Sequence, residues 1–201
     1  MFNAIARTVC VTTLALFTAA AMAATVGQPA PDFTGTDSNG NTHSLGDFAG
    51  KTVVLEWTNH DCPYVRKHYD AGNMQRQQKA ATDAGVVWLS VISSAPGKQG
   101  HVDGAAANRL TDSRQAAPSA VILDTAGDIG RAYGARTTPH MYVIDGDGVL
   151  RYMGGIDDRP TTRTSDIDGA TQYVEVALAE LAAGKPVSNA VTRPYGCSVK
   201  Y

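Results

Sequence analysis

Apolar runs and breaks along the chain predict alternating strands and helices. Thr52 to Thr58 is an almost continuous apolar and β-branched run, interrupted by Glu56, as expected of a central strand covered on both faces. Pro63 to Ala84 reads as one helix, with Pro63 suited to the first turn and Gly85 to the C-terminus. Val86 to Ile92 reads as a second buried strand, Pro96 to Gly104 as a loop, and Ala105 to Ala116 as a helix. A third strand, Ala120 to Asp124, precedes a short helix at Asp128 to Tyr133. Met141–Asp145 and Val149–Met153 flank Gly146-Asp147-Gly148, a hairpin signal. Asp157 to Gly169 is a polar loop, and Gln172 to Ala183 is a helix with Val174, Leu178 and Leu181 on one face. Before this alternation, Val26 to Asn41 reads as an extended lead-in with turns, and Thr42 to Leu45 as a short strand. The order predicts an α/β domain with helices on both faces of a mixed sheet, followed by a tail from Lys185 to Tyr201.

The first residues follow a different pattern. Thr8 to Ala23 is apolar, Ala-rich and ends in Ala21-Met22-Ala23, the small-x-small pattern of a secretory cleavage site. The stretch is short for a membrane span, which needs about 20 residues. A cleaved signal over 1–23 is therefore expected, then a domain over 24–185 and a tail over 186–201 that carries Cys197. Export to a periplasmic or extracellular space follows, without stable membrane insertion. Of three cysteines, Cys10 leaves with the signal, and Cys62 and Cys197 remain. In an oxidising compartment these two can form a bridge, stay as thiols, or bind a metal. A net charge of −2, with no basic cluster, argues against nucleic acid as a partner.

The chemistry gathers around Cys62, which lies where a strand ends and a helix begins. Free backbone N–H groups and the helix dipole stabilise an anion there, so the thiol's pKa should be depressed. A thiolate is the nucleophile in disulfide exchange and in peroxide reduction. This reading requires a sulfur that solvent can reach and that ionises more readily than free cysteine; otherwise Cys62 is a small buried hydrophobe. Glu56 stands in an apolar run six residues before it, and a buried carboxylate must shift its pKa upward or find partners. His60 and His140 can stabilise a thiolate or move protons, while His60 can equally be a solvated loop residue. His43 and His101 read as loop surface, His68 as helix surface, and Arg66 and Arg136 as solvated. Cys197 sits in a Gly-containing, flexible tail and is either a resolving thiol or half of a structural bridge.

Residues Gly27 to about Gly155 resemble the thioredoxin-like superfamily, in its redoxin or peroxiredoxin-like branch. The resemblance is carried by Gly27-Gln28-Pro29-Ala30-Pro31-Asp32-Phe33, by Leu45 to Trp57, by Cys62-Pro63, by Thr138-Pro139 and by Tyr142 to Gly148. The tail Arg193 to Tyr201 resembles that of a peroxiredoxin-like subgroup. The resemblance implies a thioredoxin-like fold, a proton-relay role for Glu56, and a cis-proline loop at Thr138-Pro139 beside the reactive cysteine. Asn59, His60 and His140 would join Thr138 and Pro139 in binding substrate. The chain departs from the family at two places: Val65 stands where thioredoxins carry a second cysteine, and Asn59 where peroxiredoxins carry threonine.

The expected function is an exported, thiol-based oxidoreductase of antioxidant type. Cys62 would attack a peroxide or a protein or small-molecule disulfide, and Cys197 or an external thiol reductant would resolve the product. No cofactor is required, and the protein would be a monomer or homodimer. One alternative is a copper- or zinc-binding module using Cys62, Cys197, His60 and His140. Another is a partner-binding domain with an unperturbed thiol.

Overall fold

The computed structural model describes residues 23–201. The expected signal, apart from Ala23, lies outside the described residues, as does Cys10. Among the described residues no helix is long and apolar enough to cross a membrane.

The elements run β1 (Thr34–Thr36), β2 (Thr42–Ser44), β3 (Val53–Trp57), α1 (Pro63–Asp70), α2 (Asn73–Asp83), β4 (Val87–Ile92), α3 (Gly104–Ser113), β5 (Ala120–Leu123), α4 (Asp128–Tyr133), β6 (Thr137–Thr138), β7 (His140–Ile144), β8 (Leu150–Gly154), α5 (Tyr173–Ala182) and β9 (Cys197–Ser198). Five strands form the central sheet in the order β5-β4-β3-β7-β8. β3 is the middle strand, parallel to β4 and antiparallel to β7, and all five of its residues are buried. The sheet is therefore mixed, because the β7–β8 hairpin returns antiparallel to the alternating part.

Side-chain alternation along β3 divides the core. Val53, Leu55 and Trp57 pack with Phe33, Tyr133 and Tyr142 on one face. Val54 packs on the other face in the cluster that contains Cys62, Val65, Trp88 and Met141. Glu56 points to this second side.

Three expectations need correction. The single helix from Pro63 to Ala84 is two helices, broken at Ala71-Gly72. Gly72 adopts φ +69°, a left-handed turn open to glycine, and directly precedes α2. The tail is not free: it pairs through β9 with β6 and is bonded along its length. His68, read as helix surface, is fully buried, because partners from the distant Asp157 and Tyr195 meet it in the interior.

Candidate active site

Cys62 occupies the N-cap of α1, with extended backbone (φ −74°, ψ 122°) and Pro63 at the first helical position. Its carbonyl already accepts from Arg66 N–H at 2.9 Å. The sulfur lies beside unsatisfied first-turn amides, where negative charge is favoured. As a thiol, Cys62 Sγ–H donates to the Thr138 carbonyl at 3.1 Å. The Thr138–Pro139 peptide is cis. On the far side of Thr138, β6 pairs antiparallel with β9, setting Thr138 opposite Cys197. Gly196 makes this approach possible: a Cβ there would stand 2.1 Å from the Thr138 oxygen.

The two cysteines, distant in sequence, therefore meet across one residue of the proline loop. Both are unbridged thiols. Their acidities diverge. Burial opposes ionisation of Cys62, but the donor groups near its sulfur, from Cys197, the first turn of α1 at Val65 and Thr138, outweigh it, so its pKa falls. The buried Thr138 hydroxyl has no hydrogen-bond partner of its own. Cys197 is pushed up to about 11, by burial and then by its role as donor and neighbour to the Cys62 anion. Of the two sulfurs, Cys62 is therefore the one that ionises first.

The site differs from expectation in access. Cys62 is 0% exposed, while Cys197 is partly exposed. The solvent-reachable sulfur anticipated at position 62 is instead buried, with a second, partly exposed thiol as its neighbour. Beside the pair lies a cleft of about 490 Å3, lined by Tyr64, Thr137, Tyr173, Pro194, Tyr195 and Gly196 among others.

The other anticipated residues are spread around this centre. Glu56 is fully buried on the Cys62 side of the sheet. Its Oε1 accepts from Tyr69 Oη at 2.9 Å, and its Oε2 from Trp88 Nε1 (2.9 Å), Gln78 Nε2 (3.0 Å) and Ser90 Oγ (3.0 Å). Burial raises its pKa and these four donors pull the other way, leaving a net rise. None of the four bonds reaches a sulfur. Asn59 is buried within its own loop, accepting from Asp61 N–H and donating to the Gln99 carbonyl. His60 is partly exposed, 3.4 Å from Asp61 Oδ1.

His140 is buried beside the proline loop, and its Nδ1 accepts from Arg136 N–H at 3.3 Å and lies 3.1 Å from the Tyr142 hydroxyl, which donates to the Tyr133 carbonyl. Burial and the Arg136 charge lower its pKa to about 4, so the ring is neutral at neutral pH. A neutral ring bonded in this way carries its proton on Nε2, an atom without a partner. Arg136 and Arg66 have exposed side chains. His43 binds Asp37, and His101 faces the Ser94 carbonyl. Among the described residues no group of three His, Cys, Asp or Glu side chains is placed to hold a metal ion.

A second group of polar residues escaped the sequence reading. Lys67 and Asp157 are both fully buried and pair at 3.2 Å. Lys67 Nζ also donates to the Arg159 carbonyl at 2.8 Å. Asn73 Nδ2 donates to His68 Nδ1 at 2.8 Å, His68 Nε2 meets Tyr195 Oη at 3.2 Å, and Tyr195 Oη donates to Asp157 Oδ1. Tyr195 stands two residues before Cys197. The sequence held one hint: aromatic residues on both sides of Cys197, at Tyr195 and Tyr201.

Comparison with known proteins agrees with this architecture. The chain is similar to the thiol-disulfide oxidoreductase ResA of Geobacillus kaustophilus, 26% identical over 138 residues, 65% of this chain and 70% of that protein. A crystal structure of an uncharacterized conserved protein from Geobacillus kaustophilus shares the fold with TM-score 0.75 and 24% identity, covering 88% of this chain and 92% of that one. A hypothetical protein from Sinorhizobium meliloti 1021 does so with TM-score 0.72 and 21% identity, covering 90% and 96%. The Redoxin family profile matches residues 25–173. With that match over well more than half its length, and with its mixed sheet, Cys62 at a helix tip and cis-proline loop, the chain belongs to the Redoxin family and carries a thioredoxin-like fold.

Proposed function

We propose that the protein is an exported thiol–disulfide oxidoreductase that cycles between the Cys62/Cys197 dithiol and their intramolecular disulfide. The observation that carries this reading is the pairing of Cys197 with Thr138, which sets a donor thiol against a sulfur of lowered pKa. In the reaction, the Cys62 thiolate attacks one sulfur of a substrate disulfide, and the first substrate thiolate leaves. Cys197 then gives up its proton, attacks Cys62 and displaces the second substrate thiolate. Two electrons pass to the substrate, and an external thiol reductant returns them. The low pKa of Cys62 makes it the better leaving group when the enzyme's disulfide is reduced. Cys62 is buried, so the reading requires the tail that carries Cys197 to move aside before a substrate disulfide reaches it.

Protein or small-molecule disulfides suit the site better than peroxide. Asn59, at the position of the peroxiredoxin threonine, is buried, accepts from Asp61 N–H and donates to the Gln99 carbonyl, and so presents no hydroxyl to a peroxide oxygen. The cleft beside the pair offers an incoming chain the rings of Tyr64, Tyr173 and Tyr195 together with the polar groups of Thr137, Asp158 and Arg193. The reading makes Thr138 and Pro139, buried beneath β9, the loop that substrate meets once the tail lifts, and assigns Glu56 to proton exchange through its raised pKa.

Thiol-trapping mass spectrometry in glutathione buffers tests it. Wild type should form the Cys62–Cys197 disulfide, and Cys197→Ser should stop at a Cys62–glutathione mixed disulfide. Failure of wild type to form the internal bridge under oxidising buffer would reject the reading. Stopped-flow oxidation by hydrogen peroxide should proceed no faster than for a free thiol.

A further inference from the structure

The tail that brings Cys197 to the site is fastened on both sides of it. Upstream, Thr192 N–H donates to the Met153 carbonyl at 3.1 Å, and Thr192 Oγ1 accepts from Gly155 N–H at 3.0 Å. Tyr195 then reaches the interior, where its hydroxyl joins Asp157 and His68, and its ring meets Tyr64 edge-on at 5.8 Å. Downstream, Val199 N–H donates to the Arg136 carbonyl at 3.1 Å, and the Lys200 carbonyl accepts from Ala95 N–H at 2.9 Å. Tyr201 closes the run. Its hydroxyl donates to the Ala135 carbonyl at 2.8 Å, and Arg131 lies over its ring at 4.8 Å. The ring fills a groove that exists because Gly127 and Gly130 lack side chains: a Cβ at either would stand 2.4 or 2.5 Å from the tyrosine.

Between the two tyrosines the chain carries only Gly196, Cys197 and three further residues; of these, Cys197 and Ser198 pair with Thr138 and Thr137, and the Thr138 carbonyl receives the Cys62 thiol. A dithiol needs no such fastening to exist. A flexible tail would present its thiol at only ~mM effective concentration, whereas a held one presents it continuously. The same fastening restricts the approach of any outside molecule to the buried Cys62.

We propose that Tyr195 and Tyr201 are positioning residues that hold the tail as a strap over Cys62, setting the Cys62–Cys197 disulfide equilibrium and limiting access to Cys62. The proposal rests on the reading of these cysteines as an exchange pair. The equilibrium concerned is the transfer of two electrons and two protons from the Cys62 and Cys197 thiols to glutathione disulfide, giving the internal S–S bond and two glutathione thiols. Tyr195 acts by tying the tail to Asp157 and His68, and Tyr201 by locking the terminus into the glycine groove. Neither tyrosine takes part in the exchange of sulfur bonds.

The test uses the full chain as wild type, Tyr195→Phe and Tyr201→Ala, each checked for folding by circular dichroism. Two quantities are measured: the equilibrium constant for the internal disulfide in glutathione buffers, and the rate of iodoacetamide alkylation of Cys62 in the reduced protein, located by mass spectrometry. Each variant should lower the equilibrium constant about tenfold, equivalent to ~30 mV for a two-electron couple, and raise Cys62 alkylation about tenfold. General destabilisation alone would expose Cys62 only in proportion to the unfolded fraction, so alkylation well above the fraction found by denaturant titration of the same variant marks release of the strap. Should Tyr195→Phe fail to fold, Tyr201→Ala, at a residue 37% exposed, decides the matter. Folded variants with both quantities unchanged would overturn the strap and leave the exchange pair standing. Absence of the internal disulfide in wild type itself would overturn both.

Discussion

Two carboxylates, Glu56 and Asp157, are buried completely, and the protein treats them in opposite ways. Glu56 has no cation beside it. Four neutral donors surround it, and the cost of desolvation still leaves its pKa raised. Asp157 is matched to a buried Lys67 and also receives the Tyr195 hydroxyl and Arg159 N–H. A carboxyl with a raised pKa and neutral neighbours can take up and release a proton with little rearrangement. A carboxylate locked to an ammonium group is a fixed point, and here the fixed point holds the tail. The difference separates a site suited to chemistry from one suited to architecture, although both lie among the helices that flank Cys62.

Removing the anchor gives the largest expected effect. Asp157→Ala leaves Lys67 buried with one carbonyl partner and no counter-charge. Breaking one side of a buried pair costs about 3–5 kcal/mol. Chemical denaturation at neutral pH should show a loss of that size. A loss below about 1 kcal/mol would mean that water reaches Lys67 and that the contrast with Glu56 is false.

Acid sharpens the contrast next. His68 faces Lys67, Asp157, Asn73 and Tyr195, and its pKa in the folded protein is lowered to about 4, chiefly by burial. An unfolded histidine binds its proton near pH 6.5. Between these values the unfolded chain holds more protons than the folded one, so stability falls as pH drops from about 6.5 to 4. The fall is on the order of 3 kcal/mol for this one group. It should shrink in His68→Asn when stability is followed by denaturant titration across that window. His140, also lowered to about 4, should continue the decline in that variant.

The readable parts of this molecule were those fixed by local pattern. The run Val53 to Trp57 announced a central strand because every side chain in it suits a covered sheet. Cys62-Pro63 marked a helix tip, and Gly146-Asp147-Gly148 marked the hairpin. The anchor was not readable. Arg66, Lys67 and His68 look alike as consecutive polar residues, yet Arg66 is exposed while the other two are buried. What buries Lys67 is Asp157, 90 residues away, and no periodicity reports a partner at that distance. The break at Gly72 failed for a related reason: one glycine in a helical pattern costs only about 1 kcal/mol, and it becomes a turn only when the next helix has somewhere to pack. Cys197 was legible as a thiol but not as a strand, since two residues of β9 gain their structure from β6 alone.

Glu56→Gln probes the other side of the comparison. The amide keeps the shape but brings two donor hydrogens into a cage of donors, so part of the Trp88, Gln78, Ser90 and Tyr69 set loses its acceptor. A buried donor left unsatisfied costs about 1–3 kcal/mol. The pH dependence gives the sharper result. With the folded pKa above the ordinary 4.5, the folded state holds the extra proton just above that pH, so wild-type stability declines as pH rises through this range and levels off beyond the folded value. Glutamine cannot titrate, and the variant should lack this decline. Equal slopes in wild type and variant would place an ordinary carboxyl at position 56 and remove it as a proton exchanger.

The smallest effect comes from an ion pair that looks stronger than the anchor on distance alone. Lys79 Nζ lies 2.9 Å from Asp83 Oδ2, closer than the 3.2 Å between Lys67 and Asp157. Its side chains, however, are 70% and 63% exposed. Water solvates both charges almost as well when they are apart, and salt screens what attraction remains. Lys79→Ala should therefore change stability by no more than about 0.5 kcal/mol, and less at high salt. Asp83 is not stranded, because solvent replaces the lost partner; Lys67 without Asp157 has no such replacement. Environment rather than separation then decides what a charge pair contributes, and a loss at Lys79 approaching that at Asp157 would refute this account of the tail's anchor.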